Sequence, residues 1–333
     1  MTTDSEPQRL RVFDLHCDTL DRLAEASGAI TVFPWFGPPV HSVSLRDTDA
    51  HLSLDRMQDF DWCQCLAIFI PDHLKGEAAW RFYQRVRQFF HQQLEENADR
   101  LAQAYAASDI EEILSAGKCA ALLTIEGASF FEDSPAPVEE LAADGVKMLT
   151  LTWNDRNALA GGSTSSGGLT SLGKQVVREL EEHRIVVDVS HINDESFADL
   201  LSVATRPFAA SHSDSRSVCP HPRNLTDDQF RAIQERGGIV GLNYSLTFLT
   251  EEKREASPDD VLRHIDHWLE LGGEKTIALG SDYDGTDVPA WLESGDKLPT
   301  LYAHVAGAFG APVADDLFFN NAQRFFLNAE KRA

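Results

Sequence analysis

Five side chains that are able to bind a metal ion stand at or just after the ends of apolar segments of the sequence. His16 and Asp18 close the first such segment, and because side chains alternate along a strand they face the same side. Glu126 ends a later apolar run, and His191 and His212 end two successive runs, each preceded by a serine. If these segments are parallel strands whose carboxyl ends meet, the five side chains converge on one centre.

The chemical character of this set predicts the metal and its use. Imidazole and carboxylate donors without cysteine suit Zn²⁺, and Mn²⁺, Co²⁺ or Fe²⁺ accept the same donors. Five ligands exceed the number at one open catalytic zinc site, whereas a carboxylate such as Glu126 can bridge two ions about 3.5–4 Å apart. Two ions hold a hydroxide between them by lowering the pKa of water, so the sequence predicts a binuclear hydrolase centre.

Two further residues are candidates for proton transfer and for substrate binding. Asp282 follows the last apolar run, where a carboxylate can take a proton from a hydroxide and return it to a leaving nitrogen. Arg223 lies in a loop with two prolines after His212, where a guanidinium can clamp a carboxylate, and Arg216 in the same loop is its rival. The structural alternatives are a hydrogen bond within the loop for Asp282 and a surface ion pair for Arg223.

The segments that carry these side chains alternate with amphipathic stretches of helical length, which is typical of a parallel sheet covered by helices. Eight strands are expected, the number of a (β/α)8 TIM barrel, whose functional side chains lie at the carboxyl ends of the strands. Helices are expected to begin at Asn193, at the capping box of Thr226 and Gln229, and at Ser257 before Pro258. The predicted strands are 11–18, 65–70, 119–126, 146–153, 185–191, 207–213, 238–244 and 276–284.

A single catalytic domain over residues 1–333 accommodates the length, since one barrel of roughly 250 residues tolerates insertions. A long loop at about 27–50, rich in proline and aromatic residues, and a shorter one at 287–300 would emerge at the catalytic face. Each is a candidate lid or pocket wall, or alternatively a dimer contact. A closing amphipathic helix at 315–331 is expected on the outside of the barrel.

Composition limits the partners and the compartment. Lys and Arg total 29 against 53 Asp and Glu, and the formal net charge of −24 would repel nucleic-acid phosphates and acidic membranes. The sequence has no signal-peptide layout and no apolar run near the ~18 residues that span a bilayer. Five scattered cysteines suit a reducing compartment, with Cys63 and Cys65 expected in the core. We expect a cytoplasmic protein without nucleic-acid or membrane partners, and, because related barrels are often dimers, a homodimer.

The motifs at the predicted strand ends resemble, in order, those of the membrane (renal) dipeptidase family, peptidase family M19. The resemblance covers most of the chain, and each motif falls at a predicted strand end. The matching segments are DLHCDTL, LLTIEG, MLTLTWN, VVDVSH, ASHSDSRSVCPHPRN and ALGSDYDG. The resemblance implies a barrel with two zinc ions and a dipeptide as substrate. It also implies the role of each residue: His16 and Asp18 on one ion, His191 and His212 on the other, Glu126 bridging, Arg223 on the substrate carboxylate and Asp282 in proton transfer.

One position departs from the family pattern. Where family members carry a histidine in a Leu-Thr-His motif, this chain has Trp153 followed by Asn154. An indole donates one hydrogen bond but does not titrate, so stabilisation of an oxyanion shifts to the metals or to Asn154. Trp153 is expected either to contact the substrate or to pack at the barrel mouth.

These observations together predict a binuclear zinc-dependent dipeptidase. It would hydrolyse the peptide bond of dipeptides, with L-D as well as L-L pairs in scope, through a metal-bridging hydroxide. One alternative is an amidohydrolase-like enzyme acting on a non-peptide amide, lactam or lactone, because the metal centre alone does not select among these. The other alternative is a non-catalytic metal-binding barrel.

Overall fold

Parallel strands alternate with helices through the computed structural model, which describes residues 9–31, 38–252 and 254–331. The strands are β1 (Leu10–Asp14), β2 (Phe60–Phe69), β3 (Leu101–Gln103), β4 (Cys119–Glu126), β5 (Val146–Thr150), β6 (Val186–Asp188), β7 (Ala209–Ala210), β8 (Ile239–Leu242) and β9 (Ile277–Leu279). The helices are α1 (Thr19–Ala26), α2 (Gly76–Glu96), α3 (Asp109–Ser115), α4 (Pro137–Ala143), α5 (Ser171–Glu182), α6 (Asp194–Leu201), α7 (Asp227–Glu235), α8 (Leu246–Leu249), α9 (Pro258–Glu270), α10 (Leu298–Phe309), α11 (Ala311–Asp315) and α12 (Asn321–Ala329). Two 3₁₀ turns (Ala290–Leu292 and Gly295–Lys297) and a π-helical turn (Asp316–Asn320) complete the described elements.

Eight of the strands close into a barrel, as the sequence predicts. β1 pairs with β2, β2 with β4, and β4 through β9 pair in chain order. The pairing of Asp14 with Leu279 joins β9 back to β1 and closes the ring. The short strand β3 was not predicted, since three residues are too few for a periodic pattern. It pairs with the beginning of β4.

The predicted helix starts are confirmed. Asn193 accepts a hydrogen bond from the Ser196 amide and caps α6, and Thr226 forms the predicted capping box with Gln229 at α7. Ser257 caps α9 just before Pro258. These caps fix where each helix leaves the preceding loop, and those loops carry the residues of the site.

The barrel interior is filled by side chains that all eight barrel strands contribute, among them Phe13 of β1, Met148 of β5 and Ile239 of β8. The C-terminal segment joins this inner cluster. Phe326 stacks on Phe13 with ring centroids 5.5 Å apart, and Phe319 lies 5.9 Å from the same ring. The expected outer position of the closing helix is therefore corrected: its aromatic side chains close the end of the barrel at which the strands begin.

Two cysteines, one loop and the lengths of the helices can also be compared with the predictions from sequence. Cys63 and Cys65 are free and buried in the inner cluster, as predicted. The proline- and aromatic-rich part of the long loop at 27–50 falls mainly on residues 32–37, which lie outside the described residues. Across the described chain, every helix is too short or too polar to cross a lipid bilayer.

Candidate active site

The residues predicted to carry chemistry meet at the carboxyl end of the barrel. Apart from Arg223, which lies in the long loop after β7, each one ends a strand or follows it within a few residues, because a parallel barrel brings all these ends to one face. Six of them are deeply buried, with an exposed fraction between 0 and 8%: His16, Asp18, Glu126, His191, His212 and Asp282.

Glu126 lies between two groups of donors. Its Oε1 is 2.6 Å from His191 Nε2 and 3.6 Å from His212 Nε2. Its Oε2 is 3.4 Å from His16 Nε2, which in turn lies 3.6 Å from Asp18 Oδ2. One carboxylate oxygen therefore faces each group, which is the arrangement of a bridging ligand.

The hydrogen bonds of the two later histidines determine where their protons lie. The carboxamide oxygen of Asn154 only accepts hydrogen bonds, so its 3.0 Å contact with His191 Nδ1 assigns the proton of that ring to Nδ1. His212 Nδ1 contacts the Ser211 hydroxyl at 2.7 Å. The Nε2 atoms of the two rings lie only 2.8 Å apart. Lone pairs on these atoms and on Glu126 repel unless a cation lies among them, so the residues fit a metal ion.

Electrostatics keeps both rings neutral, the form that binds metal. Burial, helped by Arg223, lowers the pKa of His191 to about 4. Burial and the neighbouring His16 lower the pKa of His212 well below its ordinary value. Burial opposes the charge on Glu126, while His16 favours it, and the pKa of Glu126 lies well below its ordinary value.

The second group of donors also fits a cation. His16 Nε2 and Asp18 Oδ1 are buried without a hydrogen-bond partner among the described residues. Burial opposes a charge on His16, yet the Glu126 and Asp18 carboxylates raise the pKa of His16 well above its ordinary value. A metal ion would take the place of that proton. Gly285 keeps this side open, since a Cβ at that position would collide with Asp18 and Asp282.

Asp282 is held next to this group by a strained backbone and a neighbouring amide. Its φ is +60°, in the left-handed region that is rare for residues other than glycine, and that of His191 is +71°. Asn243 Nδ2 donates to Asp282 Oδ2 at 2.9 Å, and Asp282 Oδ1 lies 3.9 Å from His16 Nε2. Burial and the Asp18 and Glu126 charges raise the pKa of Asp282 to about 7, although His16 opposes the shift. A carboxyl group in this state exchanges protons readily near neutral pH.

A cavity of about 570 Å³ opens above these groups, a size suited to a small molecule. Arg223 lines one wall, 7% exposed, with its guanidinium 5.4 Å from the centre of the Phe248 ring. His221 also lines this wall, and its ring centroid lies 4.7 Å from that of Phe248. The cavity thus offers a buried guanidinium beside an aromatic surface.

Arg216, the rival of Arg223, lies elsewhere. It forms a two-pronged ion pair with Asp194 at 2.8 and 3.0 Å and donates to the Asn224 carbonyl. Its side chain is therefore engaged with the loop and with α6, away from the cavity walls.

Trp153 and Asn154 both line the cavity, in the loop after β5. The Trp153 ring packs edge-on against Phe69 at a centroid distance of 4.9 Å and lies 6.3 Å from the His191 ring. The Asn154 carboxamide oxygen accepts from His191 and, at 2.9 Å, from the Ser163 hydroxyl. Because both contacts use the oxygen, the NH₂ group of Asn154 points away from these partners.

The two loops predicted to form pocket walls differ in position. Asp287, which begins the loop at 287–300, lines the cavity. Within the described part of the loop at 27–50, no residue does. Asn243, Phe248 and Gly285 were not predicted as site residues. A lone amide or phenylalanine after a strand has no distinguishing spacing, whereas the glycine in Asp-Tyr-Asp-Gly could have indicated a close approach.

Comparison with known proteins identifies the family. The family model described as membrane dipeptidase, peptidase family M19, matches residues 7–333. A dipeptidase of Clonostachys rogersoniana is 31% identical over 292 residues, 81% of this chain and 74% of the relative. A protein of Klebsiella pneumoniae, encoded in the pqqA 5′ region, is 34% identical over 244 residues, 70% of this chain and 90% of the relative.

A solved structure agrees with these sequence relatives. It is a metallopeptidase of Rhodobacter sphaeroides liganded with a phosphinate mimic of the dipeptide L-Ala-D-Ala, and it is 25% identical with a TM-score of 0.85. The similarity covers 97% of this chain and 100% of that structure. The chain therefore belongs to the membrane dipeptidase family, peptidase family M19, and is a metal-dependent dipeptidase.

Proposed function

We propose that this protein hydrolyses the peptide bond of free dipeptides with two zinc ions at the end of the barrel. The observation that carries the proposal is the common location of three features in one cavity: the buried donor cluster around Glu126, the carboxyl group of Asp282 and the buried guanidinium of Arg223. A dipeptide presents the matching groups, a scissile amide and a free carboxylate a few bonds away.

The residues that would hold the ions are those whose buried donor atoms surround Glu126. His16 and Asp18 would hold one ion, His191 and His212 the other, and Glu126 would bridge them. Bound zinc lowers the pKa of water to near neutrality and polarises a carbonyl group. The imidazole and carboxylate donors of this set suit zinc, and Mn²⁺, Co²⁺ or Fe²⁺ accept the same donors.

Asp282 is the proposed proton-transfer residue. Its Oδ2 is fixed by Asn243, so Oδ1 is the oxygen that faces the donor cluster and is available to accept a proton from the attacking water. The same carboxyl group then donates that proton to the leaving amine, whose basicity draws it away. Burial, which favours the protonated form of Asp282, makes the first of these steps, uptake of the proton, easier.

Arg223 is the proposed anchor for the substrate carboxylate. A guanidinium binds a carboxylate through two parallel hydrogen bonds, and burial beside Phe248 strengthens the attraction by excluding water. Arg223 Nε is buried and has no hydrogen-bond partner among the described residues, which leaves it available to a ligand. Anchoring the terminal carboxylate in a cavity of this size would favour dipeptides over longer chains.

Asn154 and Trp153 are proposed to complete substrate binding. Because the carboxamide oxygen of Asn154 is used by His191 and Ser163, its NH₂ group is the donor that can reach a substrate carbonyl or the oxyanion formed from it. Trp153 and Phe69 supply an apolar surface for a substrate side chain. The L-Ala-D-Ala mimic in the Rhodobacter sphaeroides relative supports testing L-D as well as L-L dipeptides.

A non-peptide amide, lactam or lactone is the second candidate substrate class. The observation in its favour is Trp153, which brings an apolar ring to the wall of the cavity where a titratable side chain would assist peptide cleavage.

Further proposals are that residues 1–333 form one catalytic domain, that the protein is cytoplasmic, that it functions as a homodimer and that it has no nucleic-acid or membrane partner. The net charge of −24 supports the last of these.

The test is a hydrolysis assay on purified protein of measured metal content. A panel of L-L and L-D dipeptides, their C-terminal amides, N-acyl amino acids, lactams and lactones would be assayed before and after chelation and after Zn²⁺ is restored. We expect dipeptide cleavage that chelation abolishes and zinc restores, with close to two zinc ions per chain. Metal-dependent cleavage limited to non-peptide substrates would favour the second class, and two bound ions without any hydrolysis would contradict both.

A further inference from the structure

Two buried aspartate–serine pairs stand at the carboxyl ends of barrel strands. Asp188 ends β6 and accepts from the Ser211 backbone amide at 2.9 Å and from the Ser211 hydroxyl. Asp14 ends β1 and accepts from the Ser281 backbone amide at 2.8 Å and from the Ser281 hydroxyl. All four residues are at most 2% exposed. The pairs therefore have the same local geometry and the same burial.

The two pairs differ in what the serine hydroxyl contacts next. Ser211 Oγ lies 2.7 Å from Nδ1 of the His212 ring. Ser281 Oγ lies 3.0 Å from the backbone carbonyl oxygen of His16. The first pair thus extends to the imidazole of a metal-ligand candidate, whereas the second ends on the main chain.

The direction of the hydrogen bonds in the first pair follows from counting protons. Asp188 Oδ1 already accepts from two backbone amides, those of Ser190 and Ser211, and Oδ2 accepts from the Thr150 hydroxyl at 2.8 Å. A carboxylate only accepts, so the single hydroxyl proton of Ser211 goes to Asp188. Ser211 Oγ must then accept from His212, whose proton lies on Nδ1 and whose Nε2 presents a lone pair towards Glu126.

We propose that Ser211 and Asp188 are positioning residues that hold His212 in its Nδ1–H tautomer and thereby set the metal affinity of the centre. The inference rests on the proposed role of His212 as a metal ligand. A charged acceptor behind an imidazole fixes the ring and increases its basicity, and loss of such a partner typically weakens metal binding about 10- to 100-fold. His191 differs, because its Nδ1 meets the neutral carboxamide of Asn154.

The test compares Ser211→Ala with Ser281→Ala as a matched control. Each removes one buried hydroxyl from an aspartate at a strand end, so we expect similar shifts in the midpoint of urea unfolding. Zn²⁺ affinity would be measured by competition with a chromophoric chelator. We expect a loss of about 10- to 100-fold for Ser211→Ala and a change of less than threefold for Ser281→Ala.

A second variant separates charge from packing. Asp188→Asn keeps the size of the side chain but removes the negative charge, and we expect zinc affinity to fall in the same direction as in Ser211→Ala. Long-range proton–nitrogen spectra of histidine labelled with ¹⁵N would identify the tautomer, with the His212 proton on Nδ1 in the metal-loaded wild type.

The outcomes are distinguishable. Unchanged zinc affinity in Ser211→Ala would overturn the proposed positioning role of Ser211 and Asp188. Equal losses of zinc affinity in Ser211→Ala and Ser281→Ala would also overturn it, because they would show a purely structural effect. If the wild type itself bound no zinc, the proposed metal centre would fail instead.

Discussion

Asn243 donates a hydrogen bond to one oxygen of Asp282 at 2.9 Å and leaves the other oxygen facing His16. The two residues follow adjacent strands, β8 and β9, so the barrel itself sets their separation. The free oxygen of Asp282 has a fixed direction before any substrate binds. Its role in proton transfer can therefore be tested without altering the binding wall around Arg223.

Replacing Asp282 by asparagine is expected to lower kcat by about 10²- to 10⁴-fold, the range attributed to a general acid–base group. Asparagine has the same shape and can still accept from Asn243, so KM should change little. Steady-state kinetics with metal content measured on the same samples provides the check. A variant that kept both metals and more than a tenth of the wild-type kcat would exclude Asp282 as the proton-transfer residue.

Replacing Arg223 by lysine is expected to raise KM for dipeptides by about 10- to 100-fold, because lysine keeps the charge but loses the two-pronged hydrogen bond. kcat should change less, since the reacting groups are untouched. A dipeptide amide, which lacks the carboxylate, should lose part of its disadvantage relative to the free dipeptide in this variant. Arg216→Lys in the same loop is the control, and we expect its KM to stay within twofold of wild type. Equal effects in both variants would contradict the assignment.

Replacing Asn154 by aspartate separates its two hydrogen-bonding roles. Aspartate still accepts from His191 and Ser163, so metal binding should persist, but it has no N–H group for the substrate oxyanion. Loss of one such donor is expected to lower kcat about 10²- to 10³-fold. Ser163→Ala, which removes a partner of the oxygen and leaves the NH₂ group intact, should change kcat by less than tenfold. A fully active Asn154→Asp variant would refute the proposed donor.

The barrel and the convergence of the donors could be predicted from sequence because both depend on local pattern. Apolar runs of strand length, and polar residues at or just after the ends of those runs, indicate which side chains share one face of a parallel barrel. The prediction for His16 and Asp18 used the two-residue repeat of a strand over 11–18, whereas β1 ends at Asp14 and both residues lie beyond it, with Asp18 at the start of α1. The family resemblance then assigned a role to each residue.

Other features depend on contacts between residues far apart in the chain. The hydrogen bond from Asn243 to Asp282 joins residues 39 positions apart in the sequence. The stacking of Phe326 on Phe13 joins the two ends of the fold. The proton order along Asp188, Ser211 and His212 depends on which partner each oxygen already has. Periodicity contains no information about such pairings, so the closing helix was assigned to the wrong surface of the barrel.

Buried His264 is expected to make the fold sensitive to mild acid. Its Nδ1 accepts from the Ser215 amide at 3.1 Å, so its proton lies on Nε2, which contacts the Leu249 carbonyl at 3.1 Å. Burial lowers the pKa of His264 to about 4, below the value of about 6.5 in an unfolded chain. The unfolded state therefore binds the proton more tightly, and the stabilisation present above pH 6.5 is lost as the pH falls towards 4.

The expected loss from His264 is about 2 kcal/mol at pH 5 relative to pH 7.5, from the difference between these two pKa values. Urea unfolding of wild type and His264→Gln at both pH values measures it. The variant should be less stable at pH 7.5 but should show a pH dependence smaller by about that amount. His304→Gln, at an exposed position on α10, is the control and should leave the wild-type pH dependence unchanged. Parallel pH profiles for wild type and His264→Gln would show that the acid sensitivity arises elsewhere in the fold.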